Sequence, residues 1–432
     1  MSKKTKTIVM LIIISLGAGV MYQVPYLKQV FYDPLREALG VTHTELGTLS
    51  GIYGTVAMLG YLPGGILADK FRAKYLFSGS MIICGILIFW YATIPSFRIL
   101  QIIHFLLGIF TSITFWSARI KIVRFISSDD NYATNQGIST GLYGFAGMVS
   151  SFVALYFIEN MLDGLRGLQL ALIYYAVIHI VLGILSFISI PKFENELDPN
   201  SRLNLKEFVS AVKTPAVWMV SISSFMIWMI YICLQYTTPY LTNIYVAPVA
   251  LITAISIIRS YGINIISSPL SGIWASRVKS VSKLLRLFSI LTAALLPIMF
   301  ILPISNTFVL PVVIISLVLA FFATGMNALM FTQLGEVGTP INIYGAASGI
   351  ASMFCYMPDI FAYTLIGGWL DHCEGATGYY RIFLMAIAAA VVNVLACTAI
   401  NREGKKYTLS KENLKGSSGS NAQISQQGGV KC

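Results

Sequence analysis

Four charged side chains fall inside stretches of sequence that are otherwise apolar: Lys28, Arg119, Arg259 and Asp359. A charge at the centre of a lipid bilayer costs about 2.5–3.5 kcal/mol on insertion scales, so a charge retained at that depth is a candidate functional residue. The possible chemistry is of two kinds. Guanidinium and ammonium groups bind anions, and a buried carboxylate can take up and release a proton.

Arg259 is the deepest of these charges. It lies eleven residues into a predicted helix, about 16 Å from the start of that helix. Its guanidinium can hold an anionic substrate by two parallel hydrogen bonds, or form a structural ion pair with Asp359. Asp359 follows Pro358 near the middle of its own predicted helix. It is either a proton-coupling carboxylate or the permanent counter-ion of Arg259, and the two roles are compatible.

The other two cations have weaker positions. Arg119 precedes two further basic residues by less than six positions, so it is either a cavity residue or part of a basic cluster at the lipid headgroups. Lys28 lies toward the outer end of the first predicted helix, where its ammonium can extend to the interface or contact substrate. Among uncharged residues on the same helices, Tyr26, Tyr231 and Gln235 are candidate substrate contacts, with packing as the alternative.

The elements that carry these residues are membrane spans. Of the 432 residues 56% are apolar and 11% charged, and the mean hydropathy is +0.75, which a water-soluble surface does not allow. Apolar runs of roughly 20 residues each cross about 30 Å of hydrocarbon. The sequence predicts twelve such helices, near residues 7–31, 46–68, 75–95, 101–123, 136–158, 167–190, 215–238, 248–273, 283–303, 308–333, 345–369 and 377–399.

The distribution of basic residues supports this topology. With both termini in the cytoplasm, 22 Lys and Arg residues fall in inner loops and tails and four in outer loops. The net charge of +11 is then explained by loops beside anionic lipid, which excludes nucleic acid as a partner. We expect a multi-pass protein of the plasma membrane, specifically of the bacterial inner membrane, that acts as a monomer.

Two short internal sequence repeats indicate a duplication. Gly65 recurs as Gly272 at an offset of 207, and the Gly-x-x-x-Gly motif at 137–141 recurs at 345–349 with an offset of 208. Such a long period in an apolar chain is typical of the paired halves of a secondary transporter. The predicted organisation is one six-helix bundle at 1–190, a linker at 191–214, a second bundle at 215–400 and a disordered tail at 401–432. The offset maps Arg119 onto Asn327, a further cavity candidate.

The loop after the second predicted helix contains Gly65, Asp69, Lys70 and Lys74. Their spacing resembles a signature of the major facilitator superfamily, Gly-x-x-x-Asp-Arg/Lys-x-Gly-Arg/Lys-Arg/Lys. Arg72 and Ala73 depart from it. The resemblance implies two pseudosymmetric six-helix bundles and a gating role for the four matching residues. Tyr-Asp-Pro-Leu at 32–35 and Phe-Trp-Ser-Ala-Arg at 115–119 are similar to the superfamily's organic-anion and organophosphate branches, and to uncharacterised bacterial inner-membrane relatives.

Three intramembrane cations against one acid favour an anionic ligand. We expect a secondary active transporter that moves a small carboxylate, sulfonate or phosphate ester by alternating access, with H⁺ symport or anion exchange. The alternatives are a proton-driven exporter of cationic or amphipathic compounds, and a membrane sensor that binds a solute without moving it. The sequence contains no nucleophile–base constellation and no metal or cofactor motif, so no enzyme activity and no cofactor are expected.

Overall fold

The computed structural model describes residues 3–127, 131–161, 163–194, 196–197 and 205–427, and these residues contain no β-strand. Their long helical segments are α1 (Lys3–Met21), α2 (His43–Lys70), α3 (Ala73–Ala92), α4 (Phe97–Phe125), α5 (Tyr132–Glu159), α6 (Gly164–Ser189), α7 (Pro215–Asn243), α8 (Val249–Val278), α9 (Val281–Ile301), α10 (Asn306–Glu336), α11 (Ile341–His372) and α12 (Thr377–Gln427). Shorter helices cover Tyr32–Leu39 and Leu205–Val212.

Among the described residues, ten helices, α3 to α12, are long and apolar enough to cross a bilayer. α2 makes an eleventh when its two parts, His43–Gly60 and Pro63–Lys70, which meet at 60°, are taken as one span. The bend lies beside Pro63, which cannot donate a backbone hydrogen bond. The apolar part of α1, Thr7–Met21, is shorter. The predicted all-α membrane fold is confirmed, and the first span has a different form from the one expected.

The packing repeats between the two halves of the chain. In the first half α1 packs on α5, α2 on α4, and α3 on α6. In the second half the corresponding pairs, six helices later, are α7 on α11, α8 on α10, and α9 on α12. Each helix thus buries its apolar face against the same relative partner in both bundles, as a duplicated sequence requires.

The first span is interrupted where the sequence predicts a continuous helix over 7–31. α1 ends at Met21, residues 22–26 form turns, and a 3₁₀ turn covers Leu27–Gln29. Pro25 has no N–H group and disfavours the helical conformation of the residue before it, which accounts for the break. α11 is interrupted in the same way, because one segment ends at Tyr356 and the next begins at Pro358.

Two spans widen locally into π-helix. One π-helical segment covers Ile109–Phe115 in α4, and the other covers Ile258–Gly262 in α8. Such segments change the direction of the side chains around them and are frequent at functional sites. Here the first directly precedes the turn that carries Arg119, and the second contains Arg259.

The end of the chain differs from the disorder expected over 401–432. α12 continues to Gln427, and residues 428–432 lie outside the described part. Just past residue 400 the helix is supported by an ion pair one turn apart, with 3.1 Å between Lys406 Nζ and Glu403 Oε2. Gly338 also approaches the ring of Tyr407, so the first part of this extension packs on the bundle.

The two bundles meet at one end only. We call the end that carries the α2–α3 loop and α12's extension the basic face, and the other end the opposite face. Near the opposite face, a Cβ on Gly47 of α2 would lie 2.3 Å from the Tyr363 carbonyl oxygen of α11. Toward the basic face, a Cβ on Gly137 or Gly141 of α5 would meet nothing within 4 Å. The bundles are therefore closed at the opposite face and apart at the basic face.

Candidate functional site

A cavity of about 310 Å³ lies between the bundles, walled by the interrupted segment that follows α1 and by α4, α5, α7, α8, α10 and α11. Its aromatic lining consists of Tyr22, Tyr26, Trp116, Tyr143, Trp228, Tyr231, Tyr261 and Tyr356. Its amide lining consists of Gln29, Gln136, Asn264 and Asn327. Among the described residues, one charged side chain reaches this wall, that of Arg119. The cavity can therefore surround a small molecule with flat apolar faces and neutral hydrogen-bonding groups, and can hold one negative charge.

The Arg119 side chain is fixed in position but keeps unused hydrogen-bond donors. Its side chain is buried, and one terminal nitrogen donates to Ser139 Oγ at 3.1 Å. Its Nε has no hydrogen-bond partner. The guanidinium carbon lies 5.2 Å from the Trp116 ring centroid and 5.8 Å from that of Tyr143, so two aromatic faces support the cation. A planar cation with spare donors on a cavity wall can bind a carboxylate, sulfonate or phosphate.

Arg259 occupies a different environment from the one predicted. One terminal nitrogen donates to the carbonyl oxygens of Leu234 and Gln235, at 2.9 and 3.2 Å, and to Thr237 Oγ1 at 2.7 Å. The other donates to the Gln29 carbonyl oxygen at 3.1 Å. The three carbonyl oxygens lie at the interruption of the first span and at the break within α7, and residues at an interrupted helix lack their usual intrahelical partners. Arg259 thus joins the two bundles through the backbone.

Of the two arrangements predicted for Arg259, the structure contradicts the ion pair and leaves substrate binding as a prediction. Arg259 does not line the large cavity but a void of about 20 Å³ beside it, together with Gln235 and Tyr231. The predicted ion pair with Asp359 is wrong, because the guanidinium bonds to carbonyls and the carboxylate has other neighbours. Direct substrate binding by Arg259 and Gln235 stays a prediction, and in this conformation the small void separates both from the central cavity.

Lys28 and Asp359 form a buried group of their own. Lys28 Nζ lies 3.3 Å from the centroid of the Tyr363 ring, and the side chain is 5% exposed. The predicted extension to the membrane interface is therefore wrong, since the ammonium points inward. Asp359 is 2% exposed and its Oδ1 accepts from Trp228 Nε1 at 2.8 Å. Tyr363 is one helical turn beyond Asp359, so the ammonium and the carboxylate share one small region.

Trp228 connects this buried group to the cavity. Its indole N–H binds Asp359, its ring stacks on Tyr231 with 5.1 Å between centroids, and it lines the cavity wall. A ligand that moves the indole therefore changes the hydrogen bonding of the carboxylate. Lys28 comes from the first bundle and Asp359 from the second, so their attraction also acts across the interface between the bundles.

The three remaining predicted substrate contacts all line the cavity. They are Tyr26, Tyr231 and Asn327, which share its wall with Arg119. The reasoning from sequence missed the wall residues Gln136, Tyr143, Tyr261 and Asn264. In the sequence, Gln136 and Asn264 are recognisable as isolated amides within apolar spans. Within the described ranges, no group of three or more His, Cys, Asp or Glu side chains is placed to hold a metal ion.

The four predicted gating residues lie away from the cavity, at the basic face. Gly65 and Asp69 line a separate hollow of about 550 Å³ that also includes Lys121 and Arg124. Lys121 Nζ donates to the carbonyl oxygen of Ala68. Nearby, Lys74 Nζ lies 4.7 Å from the Phe187 ring centroid, and Lys70 is exposed. Their gating role stays a prediction from the resemblance.

The opposite face is closed by a carboxylate that the sequence reasoning missed. Asp371, near the end of α11, accepts from the backbone N–H groups of His43 and Thr44 at 3.0 and 2.7 Å, and from Thr44 Oγ1 at 2.5 Å. These groups form the start of α2, where unpaired N–H groups favour an anion. Gly367 and Asp371 repeat the Gly-x-x-x-Asp spacing of Gly65 and Asp69, which was the available signal.

A second contact supports the same closure. Asp33, in the short helix after the first span, accepts from Asn243 Nδ2 at 3.1 Å and from the hydroxyl of Thr242. Asn243 also donates to Tyr379 Oη at 3.1 Å. Polar contacts from both bundles therefore close the opposite face at two places, around an interior that opens toward the basic face.

Comparisons with known proteins agree with this architecture. Residues 9–362 match the model of the Major Facilitator Superfamily, so the chain belongs to that family of membrane transporters. Two relatives in Escherichia coli (strain K12) are the inner membrane protein YqcE, 28% identical over 88% of this chain and 91% of its own, and the inner membrane protein YihN, 27% identical over 91% and 96%.

Solved structures show the same fold. The chain is similar to the nucleoside transporter NupG, with a TM-score of 0.70 and 17% identity over 93% of this chain and 99% of that one. It is also similar to a bacterial homologue of the human lysosomal transporter Spinster in an inward-facing and occupied conformation. That match has a TM-score of 0.66 and 14% identity over 94% and 97% of the two chains. The protein is thus a multi-pass membrane transporter, not an enzyme.

Proposed function

We propose that this protein is a secondary active transporter for a small organic anion, which it moves by alternating access. The observation that carries the proposal is the placement of Arg119, the one charged side chain among the described residues of the cavity wall. The carboxylates of Asp69, Asp359 and Asp371 lie outside that wall. A single cation in an aromatic, partly desolvated cavity favours a ligand with one anionic group.

Arg119, rather than the Arg259 expected from the sequence, is then the main contact for the anion. Arg259 makes four hydrogen bonds to protein oxygens, whereas Arg119 makes one and keeps an unpartnered Nε. The unmet hydrogen-bonding capacity of Arg119 is what a ligand can use. Arg259 remains a source of positive potential close to the cavity, and Tyr26, Tyr231 and Asn327 are secondary contacts.

Energy for accumulation is proposed to come from H⁺ symport or from exchange with an internal anion. The buried group of Lys28, Asp359 and Trp228 supports the first mode, because a carboxylate linked to the cavity wall through an indole can exchange a proton as the ligand binds. With the basic face toward the cytoplasm, as the charge distribution favours, the conformation described here opens inward.

The exporter alternative is less well supported. A pump for cations needs an acid that its ligand can reach, and Asp359 lies behind Trp228. The likeness to NupG concerns the fold, and nucleosides, the substrates that its name gives, enter as a competitor to be tested. We propose that the transporter works as a monomer in the bacterial inner membrane, with both termini in the cytoplasm.

The test is substrate counterflow in proteoliposomes that contain the purified protein. The panel comprises small carboxylates, sulfonates and phosphate esters, with a nucleoside and an organic cation as competitors. We expect counterflow with at least one acid, its loss in Arg119→Ala, and partial activity in Arg119→Lys. Arg98→Ala, which removes a cation from a predicted outer loop, is the matched control and should behave as wild type. Counterflow of the nucleoside or the cation alone would overturn the anion proposal.

A further inference from the structure

Two buried polar atoms on the cavity side of the first bundle have no hydrogen-bond partner. They are Nε of Arg119 and Oε1 of Gln136. One is a donor and the other an acceptor, and both side chains line the cavity. A buried polar atom without a partner costs free energy, which a ligand can recover by supplying the missing group. The cavity wall therefore contains one unused hydrogen-bond donor and one unused hydrogen-bond acceptor.

These two atoms belong to one local arrangement. Arg119 donates to Ser139 Oγ, and Gln136 precedes Ser139 by three residues on α5, which is nearly one helical turn. Gln136 also lines a second cleft of about 310 Å³, between α5 and α8, which continues the cavity toward the basic face. Arg119 and Gln136 thus belong to the same part of the cavity wall, around Ser139.

We propose that the transported anion carries a hydroxyl group close to its acidic group, so that the class of substrate is a hydroxylated acid. The inference rests on the proposed function. The acidic group binds Arg119, and the hydroxyl donates to Gln136 Oε1. The donor is a neutral hydroxyl rather than an ammonium, because no carboxylate is present among the described residues of the wall to balance a second positive charge.

The aromatic lining fits the same class of ligand. Trp116 and the tyrosines of the cavity each combine an apolar ring face with an N–H or O–H group at the ring edge. A short hydroxylated carbon chain uses both parts of such a lining, whereas a purely apolar acid would leave the amide of Gln136 unpaired. Selection by an unpaired polar group is stronger than selection by the size of an apolar pocket.

The experiment compares pairs of acids that differ by one hydroxyl. Purified protein is titrated with lactate against propionate, and with glycerol 3-phosphate against propyl phosphate, using the fluorescence of the cavity tryptophans. For at least one pair we expect about tenfold tighter binding of the hydroxylated member by wild-type protein. Gln136→Leu should abolish this preference and leave the affinity for the deoxy acid unchanged. Gln169→Leu, the same substitution at a site that bonds to the Ala92 carbonyl, is the control.

Three outcomes would overturn the inference. Equal affinity for both members of every pair contradicts it without any variant, even if Gln136→Leu does not fold. Equal loss of both members in Gln136→Leu assigns the glutamine to the positioning of Arg119 instead. Absence of binding by any acid, together with binding of a nucleoside, removes the proposed anion transport itself and the inference with it.

Discussion

The ammonium of Lys28 lies over the ring of Tyr363, 3.3 Å from its centroid, although the two residues come from opposite bundles. Asp359 stands one turn earlier on the helix of Tyr363. A buried cation and a buried anion that share such a region compensate each other, and removing one of them leaves the other without compensation. The two charges therefore attract each other across the interface between the bundles near the opposite face, while the Lys28 ammonium itself contacts the Tyr363 ring and makes no hydrogen bond.

This relationship predicts a non-additive effect on stability. Lys28→Met should lower the free energy of unfolding, because Asp359 remains buried without the nearby cation. The double variant Lys28→Met/Asp359→Asn should recover most of that loss. Thermal unfolding of the purified variants in one detergent measures the difference. Simple addition of the two single effects would mean that the charges do not interact.

Asp359→Asn is also expected to separate accumulation from exchange. The amide can still accept from Trp228, so the cavity wall keeps its shape, but it cannot take up a proton at this position. Uphill uptake driven by a proton gradient should disappear, while counterflow at equal concentrations persists. If both activities persist, Asp359 has no role in coupling and anion exchange is the remaining mode.

Arg259 is expected to behave as a structural cation in this conformation. Lysine has three donors on one nitrogen and cannot reach carbonyl oxygens on two sides, so Arg259→Lys should leave at least one of them unpaired. We expect a loss of about 1–3 kcal/mol in the free energy of unfolding, and Arg119→Lys should lose much less. Unchanged stability with lost ligand binding would instead support the direct anion contact expected from the sequence.

Asp371→Asn is expected to weaken the closure of the opposite face. The amide loses the charge that the start of α2 favours, and it cannot accept all three hydrogen bonds equally well. Spin labels at Glu37 and Glu374 should report a larger population of long distances across this face. Asp163→Asn is the matched control, because Asp163 accepts from Leu165 N–H within one bundle. An unchanged distance distribution would show that other contacts maintain the closure.

The open glycines of α5 are expected to matter only when the basic face closes. A side chain at Gly141 meets nothing within 4 Å here, so Gly141→Leu should leave thermal stability unchanged. Transport should stop, because α8 cannot approach α5 in the opposite state. Gly47→Leu should instead disrupt the conformation described here, since its Cβ would lie 2.3 Å from a carbonyl oxygen. Normal transport by Gly141→Leu would exclude close contact between these helices during the cycle.

The fold was accessible from the sequence because it rests on side-chain properties that a sequence displays. The length of the apolar runs predicts the membrane spans, and the basic residues of the loops predict the topology. The repeat of Gly65 at Gly272 indicates the duplication. The same logic identified Arg119 and Asp359 as charges that lipid does not tolerate. Cavity residues such as Gln136 were within reach of this reasoning, since an amide in an apolar span is unusual in the same sense.

The partners of those charges were not accessible, because most of them are backbone atoms. The acceptors of Arg259 include the carbonyl oxygens of Leu234, Gln235 and Gln29, which become available only where helices break. Asp371 binds the first N–H groups of α2, which every helix possesses. The direction of the Lys28 side chain depends on which helix of the second bundle lies opposite, and a single sequence does not display that pairing.

The hydrogen bond from Arg259 to the Gln29 carbonyl is the one of its four that crosses from the second bundle to the first. If the bundles separate at this level when the opposite face opens, that bond breaks and a terminal nitrogen of the guanidinium is released. The cavity would then present two cations to a substrate that binds from outside the cell. In the conformation that opens to the cytoplasm it presents one. Affinity would fall during each inward crossing, and unloading would be favoured on the cytoplasmic side.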